Sequence, residues 1–201
     1  MPTLEVFDDI IDKSLQEKIK STLFTDNFPW FFVDDVTTDT INSQSRPAFF
    51  HKFYDNFENN SEYAWITEKI ISSVIDKFKL KITQIIQSRT FLQLPLNGIE
   101  GLVDNAHIDS SRSHLVVLYY VMDSDGDTII YDKKWERGIQ DLNSEETKKM
   151  IIKKRVTPKQ GRVVVFDGKY WHTAEQPTHN KSSKRCVINN NITYEGINAN
   201  V

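Results

Sequence analysis

Apolar residues recur along this chain with two different periods. In the first eighty residues the readable period is helical. Leu15, Ile19 and Leu23 form one stripe, and the preceding Ser14-Leu15-Gln16-Glu17 has the capping-box form, in which hydroxyl and carboxylate satisfy the open end of a new helix. Ser61 to Phe78 is the best helix in the chain: Ile66, Ile70, Ile71, Val74, Ile75 and Phe78 fall on one face, with charge on the other. A helix of this kind braces a sheet. Thr3 to Phe7 reads as a short strand before both. From Asp26 to Phe57 there is no clear period. Phe28, Trp30, Phe31, Phe32, Phe49, Phe50, Phe53, Tyr54 and Phe57 are interleaved there with Asn, Asp, Thr and Ser, which predicts long loops or short strands packed over something apolar.

After Leu80 the pattern changes to short β-rich runs broken by turns: Lys81 to Leu94, Leu102 to Ile108, Leu115 to Val121, Thr128 to Tyr131, Arg162 to Phe166 and Arg185 to Ile192. A two-sheet sandwich or jelly roll closes such runs without long exposed edges. Between Asp132 and Lys154 lies a polar insert in which Asn143 and Glu146 cap a short helix ending near Ile152. Such an insert is a lid or a passive excursion. The expectation is an α+β, mainly β chain. Residues 1–201 form one domain, with a double-stranded β-helix (jelly-roll) core at about 81–192 and supporting helices on its N-terminal side.

Composition narrows the function classes. Hydrophobic residues make up 39% and charged residues 26%, and 25 Lys+Arg against 28 Asp+Glu leave a formal net charge of -3. That balance provides no general attraction to nucleic acid or to an anionic membrane. The longest apolar run, Leu115 to Met122, is too short to span a bilayer. One cysteine, Cys186, forms no intramolecular disulfide, and Met1-Pro2-Thr3-Leu4-Glu5 has neither the basic nor the apolar region of a signal peptide. These features predict a reducing cytoplasm. The abundance of Lys, Asn and Ile suggests an AT-rich genome, bacterial or viral.

The candidate chemistry centres on His107-Ile108-Asp109. In an extended strand, residues two apart share a face, so imidazole and carboxylate point the same way. One more histidine, His172 on a later strand, completes a face of three ligands. Two imidazoles and one carboxylate with the opposite positions open is the facial arrangement that binds Fe(II) in non-haem oxygenases. Alone, an H-x-D is equally a hydrogen-bonded pair at a strand end, and His172 beside Trp171 is equally a core histidine. His51, His114 and His179 have no partners at ligand spacing and read as structural. Arg185 follows thirteen residues after His172, on the last strong strand. Its planar guanidinium is a natural anchor for a dicarboxylic acid. Neighbouring Cys186 points to the opposite face and reads as an inert packed thiol.

From about Lys81 to Ile192 the chain resembles the 2-oxoglutarate- and Fe(II)-dependent dioxygenases, in particular the prolyl-4-hydroxylase-like branch. The pieces that carry the resemblance occur in the family's order: His107-Ile108-Asp109, Tyr119-Tyr120-Val121-Met122, Gly126-Asp127-Thr128-Ile129-Ile130-Tyr131, the turn Pro158 to Gly161, His172 and Arg185. The opening Val6-Phe7-Asp8-Asp9 before a capped helix is also similar to the start of that branch. The resemblance implies that His107, Asp109 and His172 bind Fe(II), that Arg185 pairs with the distal carboxylate of 2-oxoglutarate, and that the Tyr120 hydroxyl donates to the same group. It further implies that O2 is consumed, that succinate and carbon dioxide are released, and that a C–H bond of a protein or small-molecule substrate is hydroxylated. Halogenases of this type lack the carboxylate, so Asp109 points to hydroxylation. The chain also departs from the pattern. Where relatives place a tyrosine before the H-x-D, it has Gln93 and Leu94, so Gln93 or Asn105 is available to hold the co-substrate instead. The Gly-Gly pair is Gly126-Asp127, and Val187 stands where many relatives have Ser or Thr.

Two rival readings share this architecture. One is a non-catalytic metal-binding jelly roll acting as a sensor or assembly module. The other is the nucleic-acid demethylating branch, which carries a second arginine shortly beyond the anchor. This chain reads Arg185-Cys186-Val187-Ile188-Asn189-Asn190-Asn191 there. Substrate and oligomeric state leave no readable pattern.

Overall fold

The alternation after Leu80 builds two antiparallel sheets that face each other. The structure, a computed structural model, describes residues 4–36, 45–98, 101–178 and 184–195; His179 lies outside the described residues. Numbered in chain order, the larger sheet contains β1 (Leu4–Phe7), β2 (Phe31–Val33), β3 (Ala48–Asp55), β4 (Glu58–Asn59), β5 (Ile82–Gln93), β6 (Leu115–Tyr120), β9 (Val163–Asp167) and β11 (Arg185–Tyr194). Its order is β1-β9-β6-β11-β5-β3-β2, with β4 beside β3. The smaller sheet contains β7 (Thr128–Lys134), β8 (Ile152–Val156) and β10 (Tyr170–Ala174), in the order β10-β7-β8. From β6 onward the chain passes repeatedly between the two sheets, which is the jelly-roll winding expected from the sequence.

Burial explains why the central strands are apolar at every position. In β6, Leu115, Val117 and Tyr119 join the core under the helices, while Val116, Leu118 and Tyr120 join the core between the sheets. A strand covered on both faces has no reason to alternate. Strand β11 differs. Its helix-side positions, Cys186, Ile188 and Ile192, are buried in the first core, but the opposite face carries Arg185, Val187, Asn189 and Asn191.

The two helices, α1 (Lys13–Leu23) and α2 (Trp65–Phe78), cover the larger sheet through Ile19, Leu23, Ile66, Ile70, Ile71 and Val74. Their starts differ from the expected ones. Asp12, in extended conformation, is the N-cap of α1 and accepts from Leu15 N at 2.9 Å. Ser14 already lies in the first turn and donates its hydroxyl to Asp12. The capping box of Ser14 and Glu17 is therefore displaced by the nearer carboxylate. Ser61 caps a single 3₁₀ turn, Glu62–Ala64, which leads into α2.

The aromatic region contains short strands, one of the two expected forms, with Phe31 opposite Phe50 and Phe32 opposite Phe49. Two further expectations are corrected. In the insert, Asn143 and Glu146 do form a reciprocal capping box on α3 (Ser144–Lys148), but the helix ends at Lys148. Ile152 onward pairs with β7 instead, Val156 opposite Thr128, and sheet hydrogen bonds replace further helical ones. Leu102 to Ile108 forms no continuous strand, only isolated bridges from Val103 to Glu175 and from His107 to His172 and Asp141. Its backbone is shared between two partners: His107 bonds to β10, while Ile108 N donates to Gln140 O and Leu142 N donates to Ala106 O. The insert thereby grips the segment that carries His107.

Candidate metal centre and its pocket

His107, Asp109 and His172 converge although the first two do not lie on a strand. His107 and His172 exchange backbone hydrogen bonds of 2.9 and 3.0 Å, which sets their rings side by side with centroids 4.7 Å apart. Asp109 follows in a bend, and its Oδ2 lies 3.4 Å from His172 Nε2. One donor atom from each of the three falls within 4.8 Å of the others, the one such group of His, Cys, Asp or Glu found among the described residues.

Backbone carbonyls orient both rings. His107 Nδ1 donates to Asn105 O at 3.3 Å, and His172 Nδ1 donates to Tyr170 O at 2.9 Å. Each carbonyl lies two residues upstream, so each ring presents Nε2 to the centre, the tautomer that ligation requires. Asp109 has no side-chain exposure. Burial alone would raise its pKa; the hydrogen bond and charge of His172, with Arg89, outweigh burial and hold the carboxyl well below its ordinary range. Burial draws His172 downward, yet its bond to Asp109 raises it overall, whereas burial and the charge of His172 lower His107. The donor set and its chemistry fit a divalent metal of intermediate softness.

Two residues that the sequence did not single out hold Asp109. Asn189 Nδ2 donates to Oδ2 at 3.0 Å, and Arg89 Nη2 donates to Oδ1 at 3.3 Å while its guanidinium stacks 5.0 Å above the Phe91 ring. Asn189 and Arg89 face each other in the register of β11 and β5. Only that pairing, which spans a hundred residues of sequence, makes the two a unit.

Arg185 lies on the same inward face of β11 and is 3% exposed. Its Nε donates to Gly126 O (2.9 Å), Nη1 to Gln93 Oε1 (2.8 Å) and Nη2 to Thr128 Oγ1 (2.9 Å). Burial opposes its charge, and the neighbouring Asp104 and Asp127 carboxylates support it. Gln93, offered by the sequence as a residue to hold the co-substrate, is thus brought to Arg185. Asn105 is not: its backbone carbonyl orients His107. Tyr120 lies beside Arg185 between the sheets, donates to Val156 O at 3.3 Å, and has its hydroxyl pushed up to about 12 by burial. Cys186 is buried on the far face with its thiol pushed up to about 12 by burial, consistent with an inert thiol. His114 is buried under Gly168, and His51 bridges Pro29 O and Ser61 Oγ; neither joins the centre.

Comparison with solved structures places the fold in a known architecture. A 2OG-Fe(II) oxygenase family oxidoreductase from Burkholderia pseudomallei superimposes with a TM-score of 0.65 at 11% identity, covering 94% of this chain and 84% of that one. The chain has the fold of the 2-oxoglutarate- and Fe(II)-dependent oxygenases. A Pseudomonas putida prolyl-4-hydroxylase matches with a TM-score of 0.57 and 11% identity over 96% of this chain and 93% of its own. HygX from Streptomyces hygroscopicus, solved with nickel, 2-oxoglutarate and hygromycin B, matches with 0.59 and 10% over 98% and 84%. No family model matches the sequence, and no curated protein does.

Proposed function

We propose that this protein is an Fe(II)- and 2-oxoglutarate-dependent oxygenase that hydroxylates a C–H bond of its substrate. The observation that carries the reading is the convergence of His107, Asp109 and His172 in the fold of these oxygenases. Arg185 on the same inward face supplies the matching anchor for a dicarboxylic acid. Bound Fe(II), with 2-oxoglutarate and O2, would supply the oxidising power: one oxygen atom enters the substrate C–H bond and the other enters succinate, with loss of carbon dioxide.

The chain's own residues hold and orient. The two carbonyl-tethered imidazoles present Nε2, and Asp109 stays ionised and is aimed by Asn189 and Arg89. Arg185 pairs with the distal carboxylate of 2-oxoglutarate through the guanidinium N–H bonds left after Gly126, Gln93 and Thr128 have taken three of its five. Tyr120 adds a hydroxyl to that end of the pocket. Val187, Leu118 and Phe91, packed around the inter-sheet core, keep water from the space between. Neighbours on this fold include a prolyl-4-hydroxylase and a protein solved with hygromycin B, so both protein residues and small molecules are candidate substrates.

The test needs no substrate. Anaerobic addition of Fe(II) and then 2-oxoglutarate should produce the weak visible charge-transfer band of the chelated complex. His107→Ala should abolish it, Arg185→Ala should weaken it, and His172→Ala should remove all succinate formation. Iron binding without a band would overturn the co-substrate assignment in favour of a metal-binding module. Absence of iron binding would overturn the centre itself.

A further inference from the structure

His172 is held by more than the ladder of its own sheet. The register of β10 on β7 slips between Tyr170, opposite Lys134, and His172, opposite Ile130. A slip of this kind re-aims a side chain, and the backbone around it needs fastening from elsewhere. Asp109 poses the same problem. It opens a bend, and no ladder runs through residues 109–113. Among the described residues two side chains grip that bend by its carbonyls: Lys169 Nζ donates to Ser111 O at 2.5 Å, and His114 Nδ1 donates to Arg112 O at 2.7 Å.

Both grips meet at one turn. Gly168 N donates to His114 O at 2.9 Å, and a Cβ on Gly168 would lie 2.1 Å from His114 Nε2, so the imidazole fills the place of a side chain. Lys169 is the next residue, shortly before His172. Its ammonium sits 4.3 Å over the Trp135 ring, and its carbonyl accepts from Trp135 N at 2.7 Å. Trp135 in turn donates Nε1 to Ile139 O at 2.7 Å, and the neighbouring Gln140 carbonyl receives Ile108 N at 3.0 Å, between His107 and Asp109. Half-buried Lys169 thus touches the Asp109 bend and the insert, and leads into the strand of His172. Burial lowers its pKa, and the Asp167 carboxylate, which accepts from Lys169 N at 3.0 Å, works against the shift.

We propose that Lys169 is a positioning residue of the metal centre, fastening the bend of Asp109, the strand of His172 and the insert behind Ile108 so that carboxylate and imidazoles keep their spacing. The inference rests on the proposed centre and adds to it a residue outside the ligand set. Charge and position predict opposite signs. An ammonium repels a bound dication, so charge alone makes loss of Lys169 tighten metal binding. Loss of a clamp weakens it, as loss of the outer partners of metal ligands commonly does. The charge-assisted bond to Ser111 O is separable from stem packing, because a methionine keeps an apolar stem over Trp135 and loses the donor.

The experiment uses the full chain and Co(II), whose visible bands report coordination geometry. The unmodified protein should bind Co(II) in competition with Fe(II). Lys169→Met should weaken Co(II) binding about tenfold and alter the bands, and Lys169→Arg, which keeps a charged donor, should recover most of both. Urea unfolding runs alongside. A lower midpoint with unchanged affinity and bands in the folded protein marks a merely structural lysine and overturns the inference. Tighter binding by Lys169→Met overturns it in favour of charge. Equal losses in the Met and Arg variants overturn it too, because stem packing then outweighs the bond to Ser111. If Lys169→Met does not fold, Lys169→Gln, a neutral donor on a shorter stem, is measured in the same way. Each of these outcomes leaves the proposed function standing, whereas no Co(II) binding by the unmodified protein overturns both.

Discussion

At the scale of single residues, the proposed centre would depend also on side chains that touch no metal. Asn189 holds one oxygen of Asp109 and thereby fixes which lone pairs face the histidines. Asn189→Leu should weaken Fe(II) binding by about 10-fold or more, as outer-sphere partners of ligands commonly do, and a competitive metal titration measures it. Gly126 plays the same part for Arg185. A Cβ there would lie 2.5 Å from Glu175 O and 3.0 Å from Arg185 Cδ, so the first contact must push backbone and the second must displace the anchor. Gly126→Ala should cost about 1–3 kcal/mol of stability and weaken 2-oxoglutarate binding while sparing Fe(II), checked by urea unfolding and by the visible band. The sequence carried Gly126 only as half of an imperfect Gly-Gly pair; its reason is the close approach of Arg185 and the Glu175–Pro177 backbone.

At the scale of elements, the insert between β7 and β8 has a definite task. Its helix α3 starts in a reciprocal capping box, and Thr147 Oγ1 accepts from Ala106 N at 2.9 Å, one residue before His107. Fraying that helix should therefore be felt at the metal. Asn143→Ala should remove about 1 kcal/mol of stability and also lower Fe(II) affinity, whereas a passive excursion would lose stability alone. The termination of α2 offers a simpler case. Lys79 ends it with φ +55 and ψ 40, the left-handed conformation that glycine adopts without a Cβ penalty. Lys79→Gly should raise stability by about 0.5–1 kcal/mol, read from the denaturation midpoint. Helical periodicity located both long helices correctly, because their buried stripes face one sheet. It misplaced the start of α1, since a capping box and an aspartate two residues earlier compete and only geometry chooses between them.

At the scale of the whole molecule, the N-terminal strand is fastened across the chain by an ion cluster. Asp8, just after β1, receives Arg162 through Nε (2.6 Å) and Nη2 (3.1 Å), and Lys159 at 3.0 Å. The Arg162 and Lys159 bonds lower its carboxyl from 3.8 to about 2. A depressed carboxyl pKa contributes stability above the unfolded value, lost as pH falls through the folded one. The cluster should therefore contribute fully above about pH 4–5 and nothing below about pH 2. The Asp8→Asn difference, discounted for partial exposure, should be about 1 kcal/mol at neutral pH and vanish in acid, measured by denaturation at several pH values. Among the described residues no helix is long and apolar enough to cross a membrane, in keeping with the sequence's lack of a spanning run.

What the sequence determined by itself was whatever depends on local order: the two helical stripes, the apolar run of β6, and the choice of His107, Asp109 and His172 as a candidate group, whose donor atoms the fold brings within 4.8 Å of one another. Tertiary structure decided the rest, because it depends on register between distant strands. His107 and Asp109 do not share a strand face as their spacing suggests; backbone bonds to β10 on one side and to residues 140–142 on the other bring them to His172. Of the two residues offered for the co-substrate end, Gln93 reaches Arg185 because the two are register partners, and Asn105 does not. Arg89 and Asn189 carried no signal in the chain, since an inward polar pair on two strands a hundred residues apart in sequence is recognisable only once their register is in place.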